Sequence, residues 1–420
     1  MTTTIDNEHN KLNVPNLRFP EFQGEWEESS IGEMFDLYSG NTPSRLNKEH
    51  FKGTVNWISS GELKEHYIYS SKEQISEEAA KSLKLLPVGT FVIAIYGLEA
   101  DGVRGTGSIT QEPSTISQAC MSFIPKGVIE NEFLYSWYKK HGNVIGIRYA
   151  QGTKQQNLSY DILEKFRIAY PNTKEQEKLN KFISLLDERI ATQNKIIEDL
   201  KKLKSAIIEK VFCSPNQKNP MCRIEGFEQA LSTYKMSDFS SRIATKNKDS
   251  KCSLVLTIAA QYGLVNQESF FNKSVASENL TGYYLLHKGE FAYNRSCSAG
   301  YDWGAVKRLD NYDEGVLSTL YICFKINETI VDSDYLTYYF ESTKWHRGLS
   351  DIAGEGARNH GLLNVSITDY FNTKHRFPVI EEQKAIAKML NTITEKERKA
   401  TLLGECYQKQ KQYLLRQMFI

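Results

Sequence analysis

The sequence predicts an α+β molecule: two similar mixed α/β domains joined by two long antiparallel helices that form a coiled-coil spacer, with a pseudo-two-fold duplication relating the halves. Three observations predict it. The opening of a long helix occurs twice, as "YPNTKEQEKLNKFI" from Tyr170 and "FPVIEEQKAIAKML" from Phe377. Each has an aromatic residue and a proline, then Glu-Gln ahead of a helical apolar pattern. Other stretches recur in the same order. "VPNLRFPEF" at Val14 is echoed by "NPMCRIEGF" at Asn219, and "LPVGTFVIA" at Leu86 by "LHKGEFAYN" at Leu286. "TISQACMSF" at Thr115 is echoed by "VLSTLYICF" at Val316, and "GTKQQNLS" at Gly152 by "GARNHGLLNVS" at Gly356. A repeat of about two hundred residues is too long for a solenoid. Finally, each half ends in a seam of apolar residues at helical spacing.

The elements follow in order. Residues 1–171 form a first mixed domain, 172–213 a first long helix, 214–219 a linker, 220–378 a second mixed domain and 379–420 a second long helix. Within the domains, short apolar runs broken by Gly, Pro and Asn read as strands. They are Thr90–Tyr96 and Ala119–Ile124 in the first, Ser253–Ala260 and Leu320–Ile326 in the second. Asn131–Lys140 and Ser333–Ser342 read as short helices. The first long helix carries Leu179, Ile183, Leu186, Ile190, Gln193, Ile197, Leu200, Lys204, Ile207 and Val211 in steps of four and three. That is a heptad seam. Asn172 or Thr173 caps its start, and Pro171 stops the strand before it. At about 1.5 Å per residue the helix is a rod on the order of 60 Å long. The second helix repeats the seam less well at Ile386, Leu390, Ile393, Ala400, Tyr407, Leu414 and Met418, with Glu397 and Gly404 at seam positions. Such a seam needs a partner, either the helix's own domain or the other long helix, and a strict 3.5-residue period is narrower than the face of a globular surface helix. Pairing the two helices antiparallel makes a ruler that holds the two domains at a fixed separation.

The formal net charge is +1, so a polyanion must be met by local patches rather than by a global field. The 23 tyrosines suit recognition surfaces and cores alike. No apolar run approaches the ~20 residues of a membrane helix, and the polar opening "MTTTIDNEHNKLNVP" lacks the apolar stretch of a secretion signal. Seven cysteines without a CxxC pair fit a reduced cytoplasmic protein with scattered structural thiols and no metal site.

Two similar heads on a fixed spacer suit a ligand with two sites a set distance apart, as DNA offers. The stretches "NVPNLRFPEFQGEWEESSIGE", "SGNTPSR" at Ser39, "NWISSGEL" at Asn56 and "QGTKQQNLS" at Gln151 join the proline-plus-Glu-Gln helix openings. Together they resemble the specificity subunit of type I restriction–modification systems. The second head departs more, with "SSRIATKNKDSK" and "EGARNHGLLN" in the corresponding places. The resemblance implies two target-recognition domains, a bipartite asymmetric DNA target with an unread gap, and two methyltransferase subunits clamped around the chain. It further implies restriction/translocase subunits that join them. This chain would carry no cofactor, while the complex would use S-adenosylmethionine, and ATP with magnesium for restriction. It would not be an enzyme. The sequence agrees in lacking Asn/Asp-Pro-Pro-aromatic, a Gly-rich nucleotide fingerprint and a Walker loop.

Contacts to phosphates call for Arg and Lys, and contacts to base edges for planar polar side chains. In the first head Thr42, Ser44 and Arg45 lie on a polar turn, and Ser59, Ser60 and Lys64 follow a strand. Tyr96 and Arg104 flank a glycine hairpin, "GVRGTGS", and Lys154, Gln155, Gln156 and Asn157 form a run of donors. The corresponding positions of the second head are Lys246, Lys248 and Lys251, then Gln261 and Tyr262. After them come Arg295, Tyr301 and Trp303, and finally Arg358, Asn359 and His360. Tyr301 and Trp303 also suit a core. Two other classes stay open: a two-headed protein–protein scaffold that reads no DNA sequence, and a nuclease or methyltransferase acting alone.

Overall fold

The computed structural model describes residues 13–100, 102–152, 156–273, 279–298, 300–352 and 363–420. They fall into two units, Met1–Asn194 with Leu402–Ile420, and Lys195–Thr401.

Among the described residues of the first unit ten strands are formed: β1 (Glu27–Ser30), β2 (Phe35–Ser39), β3 (Val55–Ile58), β4 (Tyr67–Ile68), β5 (Glu73–Ile75), β6 (Phe91–Ala94), β7 (Gly107–Thr110), β8 (Ser114–Ile116), β9 (Cys120–Pro125) and β10 (Arg167–Tyr170). A five-stranded sheet runs in the order β2-β9-β6-β7-β4, and a three-stranded one in the order β5-β3-β8. Strand β6 is buried at every position, which explains its unbroken apolar run. A short antiparallel pair, β1 with β10, sets Glu27 opposite Tyr170 just ahead of the first long helix. Helix α1 (Asn131–Tyr149) packs Phe133, Leu134, Trp137 and Tyr138 into the core. It runs nine residues beyond Lys140, the end expected from the sequence. Gly142 and Gly146 are there for close approach: a Cβ at Gly142 would sit 2.8 Å from Tyr138 Cε1, and one at Gly146 2.6 Å from Arg104 Cγ.

Thr173–Val211 forms the first long helix, α2. Asn172 caps it, its Oδ1 accepting from the Glu175 N–H at 3.1 Å. Residues through Asn194 belong to the first unit and the remainder to the second.

The second unit has β11 (Ser232–Lys235), β12 (Ser240–Arg242), β13 (Leu256–Ala259), β14 (Gly263–Asn266), β15 (Tyr284–His287), β16 (Phe291–Asn294), β17 (Ala305–Arg308), β18 (Glu314–Leu317), β19 (Ile322–Ile326) and β20 (Lys374–Phe377). Its largest sheet runs β12-β19-β16-β17, while β11 pairs antiparallel with β20. Strand β13 makes a hairpin with β14. Helix α3 (Ser333–Glu341) is capped by Asp332, which accepts from Tyr335 N–H at 2.9 Å. Its Tyr335 and Tyr339 fill a core with Phe291, Phe324 and Phe377.

The second long helix, α4, is Ile380–Met418. Along both long helices the seam positions are covered while most of their neighbours are exposed. Between Ala191 and Ile207, Gln193, Ile197, Leu200, Lys204 and Ile207 are the residues withdrawn from solvent. Leu179, Ile183 and Ile190 are buried and Leu186 half-buried, as are Ile386 and Leu390, with Ile393, Tyr407 and Leu414 half-buried. In the first unit Asp187 pairs with Lys411, and the Arg189 guanidinium lies 4.5 Å over the Tyr407 ring. Partner numbers fall on α4 as they rise on α2, so the segments run antiparallel. In the second unit Lys204 meets Glu397 at 2.9 Å.

Each helix end plugs a core. Ile208, Val211 and Phe212 enter that of the second unit, with Phe212 5.0 Å from Tyr335. Leu415, Met418 and Phe419 enter that of the first, with Phe419 5.2 Å from Phe133.

Candidate nucleic-acid interface

In the first unit, Thr42, Ser44 and Arg45 follow β2. Arg45 forms a bidentate pair with Glu73 at 2.9 and 2.7 Å, and its guanidinium lies 4.5 Å over Phe51 and 5.4 Å over Trp57. The pair is exposed, so its net contribution is small, but the stacking holds the fork at one place on the surface. After β3 the chain closes on itself. Ser59 gives both its N–H and its hydroxyl to Glu62, at 2.9 and 2.6 Å. Ser60 is half-buried in that turn, whereas Lys64 is exposed.

Tyr96, Arg104, Gln156 and Asn157 come together. The backbone of Asn157 bridges to both Tyr96 and Gln151. Arg104 Nη2 donates to Gln156 Oε1 at 3.0 Å, and the Gln156 N–H donates to Glu99 at 2.8 Å. That last bond holds the Glu99 carboxyl below the usual range. Arg104 Nε and Asn157 Oδ1 are buried with no hydrogen-bond partner among the described residues. Lys154 and Gln155 lie outside the described residues.

In the second unit, Lys246 donates to the Gly282 carbonyl at 2.7 Å and stands 4.0 Å over the Tyr284 ring. Lys248 and Lys251 are exposed. Gln261 and Tyr262 form the tip of the β13–β14 hairpin, with Tyr262 69% exposed. The Tyr301 hydroxyl ties this tip down by donating to the Ala260 carbonyl at 3.2 Å. Trp303 packs half-buried against the core. Arg295 is engaged by backbone: Nη1 donates to Val365 at 3.0 Å, and Nε and Nη2 to Leu320 at 3.3 and 3.1 Å. Its guanidinium holds loops together and is not free to meet a phosphate. Arg358, Asn359 and His360 lie outside the described residues.

The corresponding loops therefore differ in kind. The loop after β3 is closed by Glu62, and the one after β13 presents a glutamine and a tyrosine to solvent. Among the described residues no group of three or more His, Cys, Asp or Glu is placed to hold a metal ion. No helix there is long and apolar enough to cross a membrane.

Residues 23–202 match the family described as type I restriction modification DNA specificity domain. That segment is similar to the DNA specificity domain of type I restriction–modification systems. It includes the strands of the first unit and most of α2. The type I restriction enzyme MjaIX specificity subunit of Methanocaldococcus jannaschii is 28% identical over 194 residues, 45% of this chain and 44% of the relative. The EcoR124I/EcoR124II specificity subunit of Escherichia coli is 31% identical over 189 residues, 44% of this chain and 45% of the relative. In these two matches the chain spans less than half of the relatives' length. The MjaVIII specificity subunit of M. jannaschii matches at 23% identity over 412 residues, 92% of this chain and 89% of the relative. Two solved structures share the fold. The type I restriction–modification S subunit from M. genitalium has a TM-score of 0.55 at 16% identity, covering 97% of this chain and 99% of its own. A chain from a type I system described for its complex assembly and conformational transition also has a TM-score of 0.55, at 13% identity, covering 93% and 96%. Within the specificity segment lie Arg45, the self-closed Ser59 loop and the Tyr96–Asn157 cluster.

Proposed function

We propose that the chain is the DNA-specificity subunit of a type I restriction–modification complex. Each unit reads one half of a bipartite asymmetric target. The two units are a duplication, and α2 with α4 is an antiparallel coiled-coil spacer that sets the unread gap and docks two methyltransferase subunits. Restriction/translocase subunits join that core in the cytoplasm. This chain supplies sequence choice and performs no chemistry. S-adenosylmethionine serves the methyltransferase, and ATP with magnesium the restriction step.

The observation that carries the reading is the match of residues 23–202 to a DNA specificity domain, in a chain whose second unit pairs β11 with β20 as the first pairs β1 with β10 and whose two long helices each have 39 residues. Divergent loops on repeated frames are what reading two different half-sites requires.

Methylome sequencing of cells with and without the chain tests it. A set of adenines sharing two short motifs at fixed spacing should lose methylation when the chain is absent. An unchanged methylome in cells that express the complete system would overturn the reading and favour the protein–protein scaffold. Binding of the purified chain to target duplex should also weaken steeply with salt through counterion release.

A further inference from the structure

The doubled Glu-Gln has a structural counterpart in both units. Gln176, in the first turn of α2, is 0% exposed. Its Nε2 donates to the Pro171 carbonyl at 2.9 Å and the Val128 carbonyl at 3.2 Å, and its Oε1 accepts the Glu130 N–H at 3.0 Å. Glu130 occupies the N-cap position just before α1. Gln383, in the first turn of α4, is 1% exposed. Its Nε2 donates to the carbonyls of Pro378 at 2.9 Å and Ile330 at 3.0 Å, and its Oε1 accepts the Asp332 N–H at 2.9 Å. Asp332 caps α3. The preceding glutamates act beside them. Glu175 takes the fork of Arg18 at 2.8 and 2.7 Å, and Glu382 that of Arg223 at 2.9 and 2.6 Å.

One amide thus joins three pieces of backbone: the proline leaving the last strand, the segment entering the domain's helix, and the long helix. A buried amide with both ends engaged has one orientation, and turning the helix against the domain would leave donors and acceptors buried and unpaired. Apolar contacts alone tolerate repacking and lose rigidity before they lose stability. The glutamine supplies angular definition that the surrounding core does not.

We propose that Gln176 and Gln383 are positioning residues that fix the attitude of each recognition unit on its long helix, and thereby determine how strictly the gap between the half-sites is read. This rests on the function proposed above. The physical demand is set by DNA. One base pair more or less moves a half-site by about 3.4 Å and turns it by about 35°. A unit held by the amide cannot follow that turn, whereas a loosened one can.

The test uses the full chain with its methyltransferase partner, once the native target is mapped. Duplexes carry the native half-sites with the gap at its native length and one pair longer or shorter. The variants are Gln176→Glu and Gln383→Glu, which keep the size and the acceptor but lose the donors. Methylation at the altered gaps, relative to the native gap, should rise about tenfold, as loss of a buried hydrogen-bonded group implies. The half-site bases should not change. Leu163→Ala, a core truncation 1% exposed in the first unit, should lower thermal stability without broadening the gap. Unchanged gap discrimination in folded variants would overturn the proposal, and so would altered half-site preference or equal broadening by Leu163→Ala. Failure of both glutamine variants to fold would assign the amides to folding and not to spacing. Failure of the underlying reading looks different: the native chain would direct no methylation to a two-part site.

Discussion

His66 is an imidazole between two tyrosine rings, 4.0 Å from Tyr67 and 3.9 Å from Tyr135. Its nitrogens face Asp187 at 3.1 Å and Glu132 at 2.8 Å. Burial opposes its charge, but the Asp187 and Glu132 carboxylates outweigh that and hold its pKa above 6.5. His375 is the opposite case. It is buried beside the Tyr339 and Thr373 hydroxyls, at 3.1 and 2.9 Å, and burial pushes its pKa down to about 3. The signs of linkage follow. A raised pKa contributes stability that is complete below pH 6.5 and lost as pH climbs through the folded value. A depressed histidine pKa costs stability progressively as pH falls below 6.5, because the unfolded chain takes up a proton that the fold refuses. Hydrogen exchange should therefore show His66→Gln weakening the first unit more near pH 6 than near pH 9, and His375→Gln removing part of the acid sensitivity of the second unit. Similar losses at all pH values would refute both assignments. Arg295 and the exposed lysines Lys248 and Lys251 of the second unit separate in the same spirit. Arg295→Ala should destabilise the second unit by about 1–3 kcal/mol through the carbonyls it abandons. Lys248→Ala with Lys251→Ala should leave stability alone and reduce the salt dependence of DNA binding.

Among the elements, the long helices were the most legible in the sequence, because a 3.5-residue period sustained over five heptads has few other readings. Their polar seam residues were less so. Glu397 looks like a flaw on its own helix, yet it faces Lys204, and the two side chains are 17% and 21% exposed. A seam charge is interpretable only with its partner, and one helix does not reveal the register of the other. Glu397→Ala should cost about 2–4 kcal/mol by stranding Lys204, and replacing both residues with leucine should restore most of it. Equal losses in the single and double variants, in thermal melts, would mean the pair is not coupled. The end of α1, at Tyr149 and not at Lys140, is hidden from the sequence for a related reason. Glycine's helix-breaking propensity is local, whereas Gly142 and Gly146 answer to a loop some forty residues earlier. The loops that carry the candidate contacts were legible only as polar stretches. That Ser59 is held by Glu62 while Tyr262 stands free depends on turn geometry that composition does not encode. Gln176 and Gln383 were visible as a repeated dipeptide, but their bonds to Val128 and Ile330 were not.

For the whole molecule, the exchange of helix ends makes half a chain testable. Residues 1–215 lack Leu415, Met418 and Phe419, which complete the core of the first unit. They carry Ile208, Val211 and Phe212, which do the same for the second. Two copies can supply each other. The fragment should dimerise at micromolar concentration, with loss of the Lys204–Glu397 pair and the entropy of association opposing. With the methyltransferase it should modify a palindrome built from the first half-site. A folded monomer, or a dimer that still modifies the asymmetric site, would refute this. The same exchange bears on how the chain is made. The first unit closes only when Leu402–Ile420 arrive, after the whole of Lys195–Thr401. At about 5–20 residues per second of synthesis, its core waits roughly ten to forty seconds. The domain that starts first is therefore completed last. During that interval the faces of Phe133 that later meet Phe419 remain uncovered, an exposure of apolar surface that the second unit, finished as it emerges, does not share.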